Sequence, residues 1–471
     1  MNPSFLYFVV HAASLLLALL LVACARPPHA TPVPSTQTPT ATPAAIAAPT
    51  VTAIAAPTSA PTPTNTRAAT TTSTRTAPPT VVVTPTNTRA APPTVAVTPA
   101  NTPTPAVIVL ARATKIAQLV GDFDRERQQP TLNQTQSRYK LGATDLGVPF
   151  RHKDRTYLLF GDTFGSRGGD PIAYTTDTNP EDGIALTFIA DNTGTYKPIH
   201  IPGIKQGPFE VPMEGTSIGC KMYIYHTTDS TGEAKMGRSI VAVSNDDGNT
   251  FAYLYDLSKR HFINVSVVEV DLAAWKGFPQ DKGIGLAMFG SGPYRQSDVR
   301  LAFQPAEQIE VRESVRFFTG LDRSGKPTWS SKEEDAQPLF NQPCVGELSV
   351  TYNRFIHKWI MLYNCFLKRG INLRTADQPW GPWSESQVIF HPDTDNGYCH
   401  FMHASWQFKK CDSVHDPGKE NECAGEYGPY QFEDLAIGDT SKTTIYFTMS
   451  TWNPYTVVLM KATLGKTGTL P

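Results

Sequence analysis

From Thr114 onward the chain is a succession of short apolar runs with almost no helical periodicity, and this is the feature that most limits its fold. "KMYIYH", "SIVAVS", "INVSVVEV", "KWIMLYN" and "TIYFTMS" are typical. Each is rich in β-branched and aromatic residues and is bounded by Gly, Pro, Asn or Asp, the pattern of β-strands closed by turns. So long a series of strands is most simply a radial repeat of four-stranded sheets. "SNDDGNTFAYL", "DRSGKPTWS" and "TADQPWGPWSE" read as diverged copies of one unit. Five units follow, at about 138–205, 206–260, 261–335, 340–393 and 397–466, so the expected fold is all-β, a five-bladed β-propeller over 114–471. A large β-sandwich is the alternative. Ser244, Asp246, Gly248, Thr250 and Phe251 fit the S-x-D-x-G-x-T-F pattern of an Asp box, a folding device of propeller hairpins rather than a site.

The N-terminal part is of another kind. The run "AASLLLALLLVA", Ala12 to Ala23, is short for a membrane span and is followed at once by Cys24. Residues 1–23 therefore read as a signal peptide, and "LVAC" resembles a bacterial lipobox, with Cys24 as the lipidation site. A plain secretory signal and an uncleaved anchor are the alternatives, and all three place the remainder outside the cytoplasm. Residues 24–113 form a Pro/Thr-rich stalk with internal repeats such as "PTNTRAA" and no acidic residue before Asp122, a composition that cannot bury a core. The formal net charge of -1 gives no reason to expect nucleic acid as a partner; the membrane is reached only through the lipid anchor, and a monomer is expected.

Beyond Cys24 the cysteines are Cys220, Cys344, Cys365, Cys399, Cys411 and Cys423. Six can pair in about 15 ways. Two pairings have local support: Cys344 with Cys365 across a hairpin, and Cys411 with Cys423 closing a polar loop.

Chemistry enters with "GATDLGVPFRHKDRTYLLFGDTFG", residues 142–165. If its turn is centred between Lys153 and Asp154, Asp145 falls directly opposite Asp162, with both on one face of the sheet. Opposed like charges destabilise a sheet, so the pair points to function. Paired carboxyls suit glycoside hydrolysis, in which one acts as acid and the other as base or nucleophile, and their mutual repulsion separates the two roles. The plainer reading gives these aspartates to turn capping or to a structural cation.

"TDLGVPF…YLLFGDTFG", "GELSVTYN…WIMLYN" and "RTADQPWGPWSE" together resemble the domain of unknown function 4185 family, grouped as glycoside hydrolase family 183, over about residues 138–466. The resemblance implies a five-bladed propeller and endo-acting hydrolysis of the D-arabinofuranan in mycobacterial arabinogalactan and lipoarabinomannan. It also implies inversion at Asp145 and Asp162 with neither metal nor covalent intermediate, and the leaning is to Asp145 as base and Asp162 as acid. Propeller arabinases and xylosidases of other families use a third carboxylate, for which Glu214 and Glu347 are the candidates. Further candidates for contact with sugar are His403, Trp406, Asn364 and Tyr352, with Trp380, Trp383, Trp452 and Tyr455 as stacking faces or, more simply, core. "HPDTDNGYCHFMH" gathers His391, Asp393, Asp395, His400 and His403, but its spacing matches no zinc or EF-hand signature. No cofactor is expected, with a structural calcium the one ion worth testing. A non-catalytic carbohydrate-binding or adhesion propeller is the alternative of a different class; a sialidase would need an arginine cluster and a Tyr/Glu pair, which the sequence positions of Arg151, Arg238, Arg300 and Arg374 do not assemble.

Overall fold

Strands with an apolar face on each side need a neighbour on each side, and stacking sheets around an axis supplies both. A computed structural model describes residues 106–232 and 236–467; the signal segment, Cys24 and nearly all of the stalk lie outside the described residues. The first blade comprises Leu146–His152, Arg155–Phe160, Ile172–Thr175 and Thr187–Phe188. The second comprises Pro212–Ile218, Lys221–Thr228, Arg238–Ser244 and Ala252–Ser258. The third has five strands, Asn264–Asp271, Ile284–Ser291, Val299–Pro305, Arg316–Leu321 and Pro327–Ser330. The fourth runs Val345–Asn353, Lys358–Cys365, Ile371–Ala376 and Gln387–Phe390. The fifth is built from Gly425–Gly438, Lys442–Trp452 and Thr456–Lys466.

The first strand of each blade touches the first strands of both neighbours, so five inner strands close a ring. The sandwich alternative is thereby excluded. Four apolar clusters fill the spaces between consecutive blades, with Trp359, Phe289 and Phe303 between the third and fourth, and Phe160, Phe188 and Leu459 between the fifth and first.

The ring is fastened by an element that the sequence divided at Thr114 between stalk and folded unit. Val107–Gln118 forms a strand antiparallel to Thr456–Lys466 and completes the fifth sheet, so the folded unit begins ahead of Thr114. The strand escapes recognition because its apolar periodicity is broken by three register shifts, leaving only Val107, Ala113 and Ile116 fully buried along it. The Asp box folds as expected: Asp246 accepts from the Thr250 N–H and hydroxyl at 2.8 and 2.6 Å, and Phe251 is buried. Asp191, Asp322 and Asp439 accept from nearby backbone N–H groups in the same manner at other hairpin turns.

Among the described residues no helix is long and apolar enough to cross a membrane. The Cys344–Cys365 disulfide is present, whereas Cys411 pairs with Cys399 rather than Cys423. Both candidate loops span 12 residues, so loop length does not favour either partner, and Cys423 is left as an exposed free thiol. Removing the fastening strand tests the closure. A chain beginning at Leu119 should melt at least 10 °C lower, roughly, than one beginning at Ala106, because about 5 kcal/mol of apolar burial is lost; calorimetry measures this.

Candidate active site

The expected pairing holds from His152↔Arg155 to Val148↔Leu159 and then slips by one, to Leu146↔Phe160. Gly147 is the extra residue of a β-bulge, with φ of 80°, and Leu146 beside it has φ of 66°. A branched side chain there is strained, and the Leu146 N–H is held by the Ser450 hydroxyl at 2.7 Å. Asp145 therefore stands opposite Gly161, whose N–H donates to the Asp145 carbonyl at 3.1 Å, and not opposite Asp162. A Cβ at Gly161 would lie 2.4 Å from Asp145 Oδ1, so only glycine admits the carboxyl. The bulge replaces a cross-strand pair by a diagonal one, and the two aspartates still sense each other.

Asp145 is 8 % exposed. Its Oδ2 accepts from the Tyr427 hydroxyl at 2.9 Å, while Oδ1 has no partner among the described residues. Burial, and after it the charge of Asp162, hold its pKa well above the carboxylate range; hydrogen bonds from Tyr455 and Tyr427 only partly offset them. Asp162 is also raised by burial, but its Oδ2 accepts from the Phe209 N–H at 3.0 Å, which favours the ionised form. The Tyr455 hydroxyl touches both residues, donating to the Asp162 carbonyl at 3.2 Å. Proton affinity is thus greater at Asp145, the reverse of the order expected from the sequence.

Behind Asp162 lies a buried polar layer that sequence reasoning missed. His226 donates through Nδ1 to the Thr227 carbonyl at 2.6 Å and faces Asp170 through Nε2 at 3.1 Å. Burial lifts Asp170 to about 6. Phe209, with φ of 64°, directs its N–H at Asp162 from a loop anchored by Glu210, which accepts from the Ser230 N–H at 2.8 Å.

The other expected residues divide. Glu347 joins the cluster: its charge contributes to raising Asp145, and its Oε1 accepts from the Tyr294 hydroxyl. Asn364 lies opposite the Gly346–Glu347 slip in the fourth blade. Glu214 is buried on the inner strand of the second blade, its Oε2 accepting from Ser266 and the Val267 N–H at 3.1 Å each. Desolvation raises it to about 8.

Tyr352, near the other end of the Glu347 strand, packs against Trp275 and Trp359 and is not brought to the site. His403 is buried with both ring nitrogens engaged, by Asp412 at 2.6 Å and the Glu420 carbonyl at 2.8 Å, and Trp406 is tied to the Asp412 carbonyl, so neither is turned toward the aspartates. Trp380 and Trp383 are core. Tyr455 belongs to the site, flanked edge-on by Trp452 and by exposed Phe164.

The His391–His403 segment is a hydrogen-bonded connection: Asp395 caps the His391 N–H at 2.6 Å and pairs with Arg112 at 2.8 Å. The clustered Cys399, Cys411 and Asp412 are no metal set, because the two cysteines are bonded to each other. Arg151, Arg238, Arg300 and Arg374 lie on four different blades, paired with Asp434, Asp229, the Ala336 carbonyl and the Tyr363 hydroxyl, and form no cluster.

A family model described as Domain of unknown function (DUF4185) matches residues 131–461, and the chain belongs to that family. No curated protein matches it. Among solved structures it is similar to an arabinanase from Bacillus subtilis, with TM-score 0.34 and 14% identity over 68% of this chain and 96% of that one. It is similar to a GH43_1 enzyme from Xanthomonas citri, with TM-score 0.37 and 13% identity over 69% and 87%. A family 117 glycoside hydrolase from Zobellia galactanivorans gives TM-score 0.36 and 10% identity over 76% and 91%.

Two variants probe this geometry. Gly161→Ala should cost about 1–3 kcal/mol by overpacking and displace the Asp145 carboxyl, visible as a lowered denaturation midpoint. Glu214 is neutral in both states below 4.5, and its raised pKa means stability is lost as pH rises from 4.5 to about 8. Glu214→Gln should flatten that decline, which has a limiting slope of about 1.4 kcal/mol per pH unit, in denaturation series across the interval.

Proposed function

We propose that the protein is an extracytoplasmic glycoside hydrolase, an endo-D-arabinanase that cleaves D-arabinofuranan with inversion by two carboxyl groups. The observation that carries the reading is the buried Asp145 with a raised proton affinity beside an Asp162 that retains a backbone donor. A protonated acid and an ionised base side by side are what hydrolysis of a glycosidic bond requires, whereas binding alone needs no protonated acid. The choice of polymer follows from the family resemblance. The Cys344–Cys365 and Cys399–Cys411 bonds support an oxidising compartment.

In this mechanism the Asp145 carboxyl protonates the leaving oxygen as the glycosidic C–O bond breaks. Asp162 takes a proton from the water that attacks the anomeric carbon from the opposite face. Transfer of that proton back to Asp145 through solvent resets the site. Tyr427 and Tyr455 hold the acid, and the Phe209 N–H holds the base. The separated arginines disfavour a sialidase reading.

With arabinogalactan as substrate, Asp145→Asn and Asp162→Asn should each lower kcat by about 10²–10⁴-fold. Azide should restore turnover only to Asp162→Gly, with a glycosyl azide as product; rescue of Asp145→Gly instead would reverse the two roles. Nuclear magnetic resonance of the first-formed anomer tests inversion. Tyr427→Phe removes a donor that stabilises ionised Asp145, so the alkaline limb of the kcat profile should move to higher pH.

A further inference from the structure

The fourth blade places a second set of buried oxygens beside Asp145. Its first ladder pairs Val345 with Cys365 and then slips to Leu348 with Tyr363, so Gly346 and Glu347 share Asn364 as their opposite number. A Cβ on Gly346 would lie 2.8 Å from Asn364 Nδ2 and 2.9 Å from Arg295 Cγ, so the glycine lets both side chains close against this bulge.

Glu347 is 4 % exposed. Its Oε1 accepts from the Tyr294 hydroxyl and faces the Arg295 guanidinium at 3.7 Å. Glu347 Oε2 and Asn364 Oδ1 receive no hydrogen bond from any described residue, although both are buried. Buried acceptors without a donor are uncommon and costly, and they call for a ligand that supplies donors. The link to the aspartates is direct: the Arg295 guanidinium lies over the Tyr294 ring at 4.4 Å and the Tyr427 ring at 5.7 Å, and Tyr427 donates to Asp145. Asp145 Oδ1, the atom left to carry the acid's proton, is likewise without a partner in the same cluster.

Glu347 Oε2 and Asn364 Oδ1 accept, and the Glu347 and Asp162 carboxylates place negative charge nearby. Sugar hydroxyls donate to such atoms, whereas a uronate or sialate would bring another carboxylate against Glu347 and Asp162. We propose that Glu347 Oε2 and Asn364 Oδ1 accept hydrogen bonds from hydroxyl groups of the glycosyl unit beside the scissile bond, and that this subsite selects neutral sugars over acidic ones. The inference rests on the hydrolase reading only for which bond is cut; the recognition itself does not require cleavage.

Calorimetric titration of the full chain carrying Asp145→Asn tests it, with a neutral D-arabinofuranose tetrasaccharide and an oligogalacturonide as probes. The neutral probe should bind and the acidic one should not. Adding Glu347→Gln should weaken binding about tenfold or more, and adding Asn364→Ala about three- to tenfold, given the usual strengths of charged and neutral hydrogen bonds. The proposal is overturned if both additions leave binding within about twofold of the parent, if the acidic probe binds equally well, or if the neutral probe does not bind at all. Should Glu347→Gln fail to fold, Asn364→Ala on a different strand decides. Binding that depends on both residues, together with no cleavage of arabinogalactan by the chain with Asp145 intact, would sink the hydrolase reading and leave the subsite standing.

Discussion

The contact between the Asp145 carboxyl and Gly161 is the constraint on which the rest of the site depends. It needs a glycine on the neighbouring segment, a bulge that turns Asp145 toward it, and a hydroxyl from the fifth blade to hold the strained Leu146 in place. Each costs stability locally: Leu146 occupies the left-handed region, and the carboxyl is dehydrated next to a like charge. The gain is chemical. A carboxyl in that position keeps its proton at pH values where an exposed aspartic acid would have lost it.

Ring closure makes this arrangement three-dimensional. Asp145 precedes the inner strand of the first blade, Tyr427 lies on that of the fifth, and Glu347 on that of the fourth. These residues are remote in sequence and meet because inner strands of neighbouring blades touch around the ring. Val107–Gln118, by completing the fifth sheet, supports the blade that delivers Tyr427 and Tyr455. Stability at the rim and proton affinity at the centre are thus coupled through one closed set of sheets.

The blades were legible because strand alternation and turn residues are local signals, and five units drawn from sequence fall on the five sheets of four or more strands among the described residues. The aspartate pair was legible for the same reason, although the bulge was not: "DLG" carries no mark that separates a bulge glycine from a turn glycine. Tyr427 was hidden, and Tyr455 was expected only as a stacking face, because their roles arise from contacts across almost 300 positions, Tyr427 to Asp145 and Tyr455 to Asp162. The Cys411 pairing was misread because loop closure alone does not choose between Cys399 and Cys423. His403 and Trp406 looked like ligand residues by composition, yet their polar atoms are spent on Asp412 and the Glu420 carbonyl.

The claim that Asp145 is a carboxylic acid raised by burial and by its neighbour is most directly tested by a carboxyl-carbon nuclear magnetic resonance titration of the labelled protein, alone and with Asp162→Asn. The account predicts that the Asp145 signal titrates well above the ordinary value near 3.8, and that removing the Asp162 charge moves its midpoint downward. A midpoint near 3.8 that ignores the substitution would contradict the account.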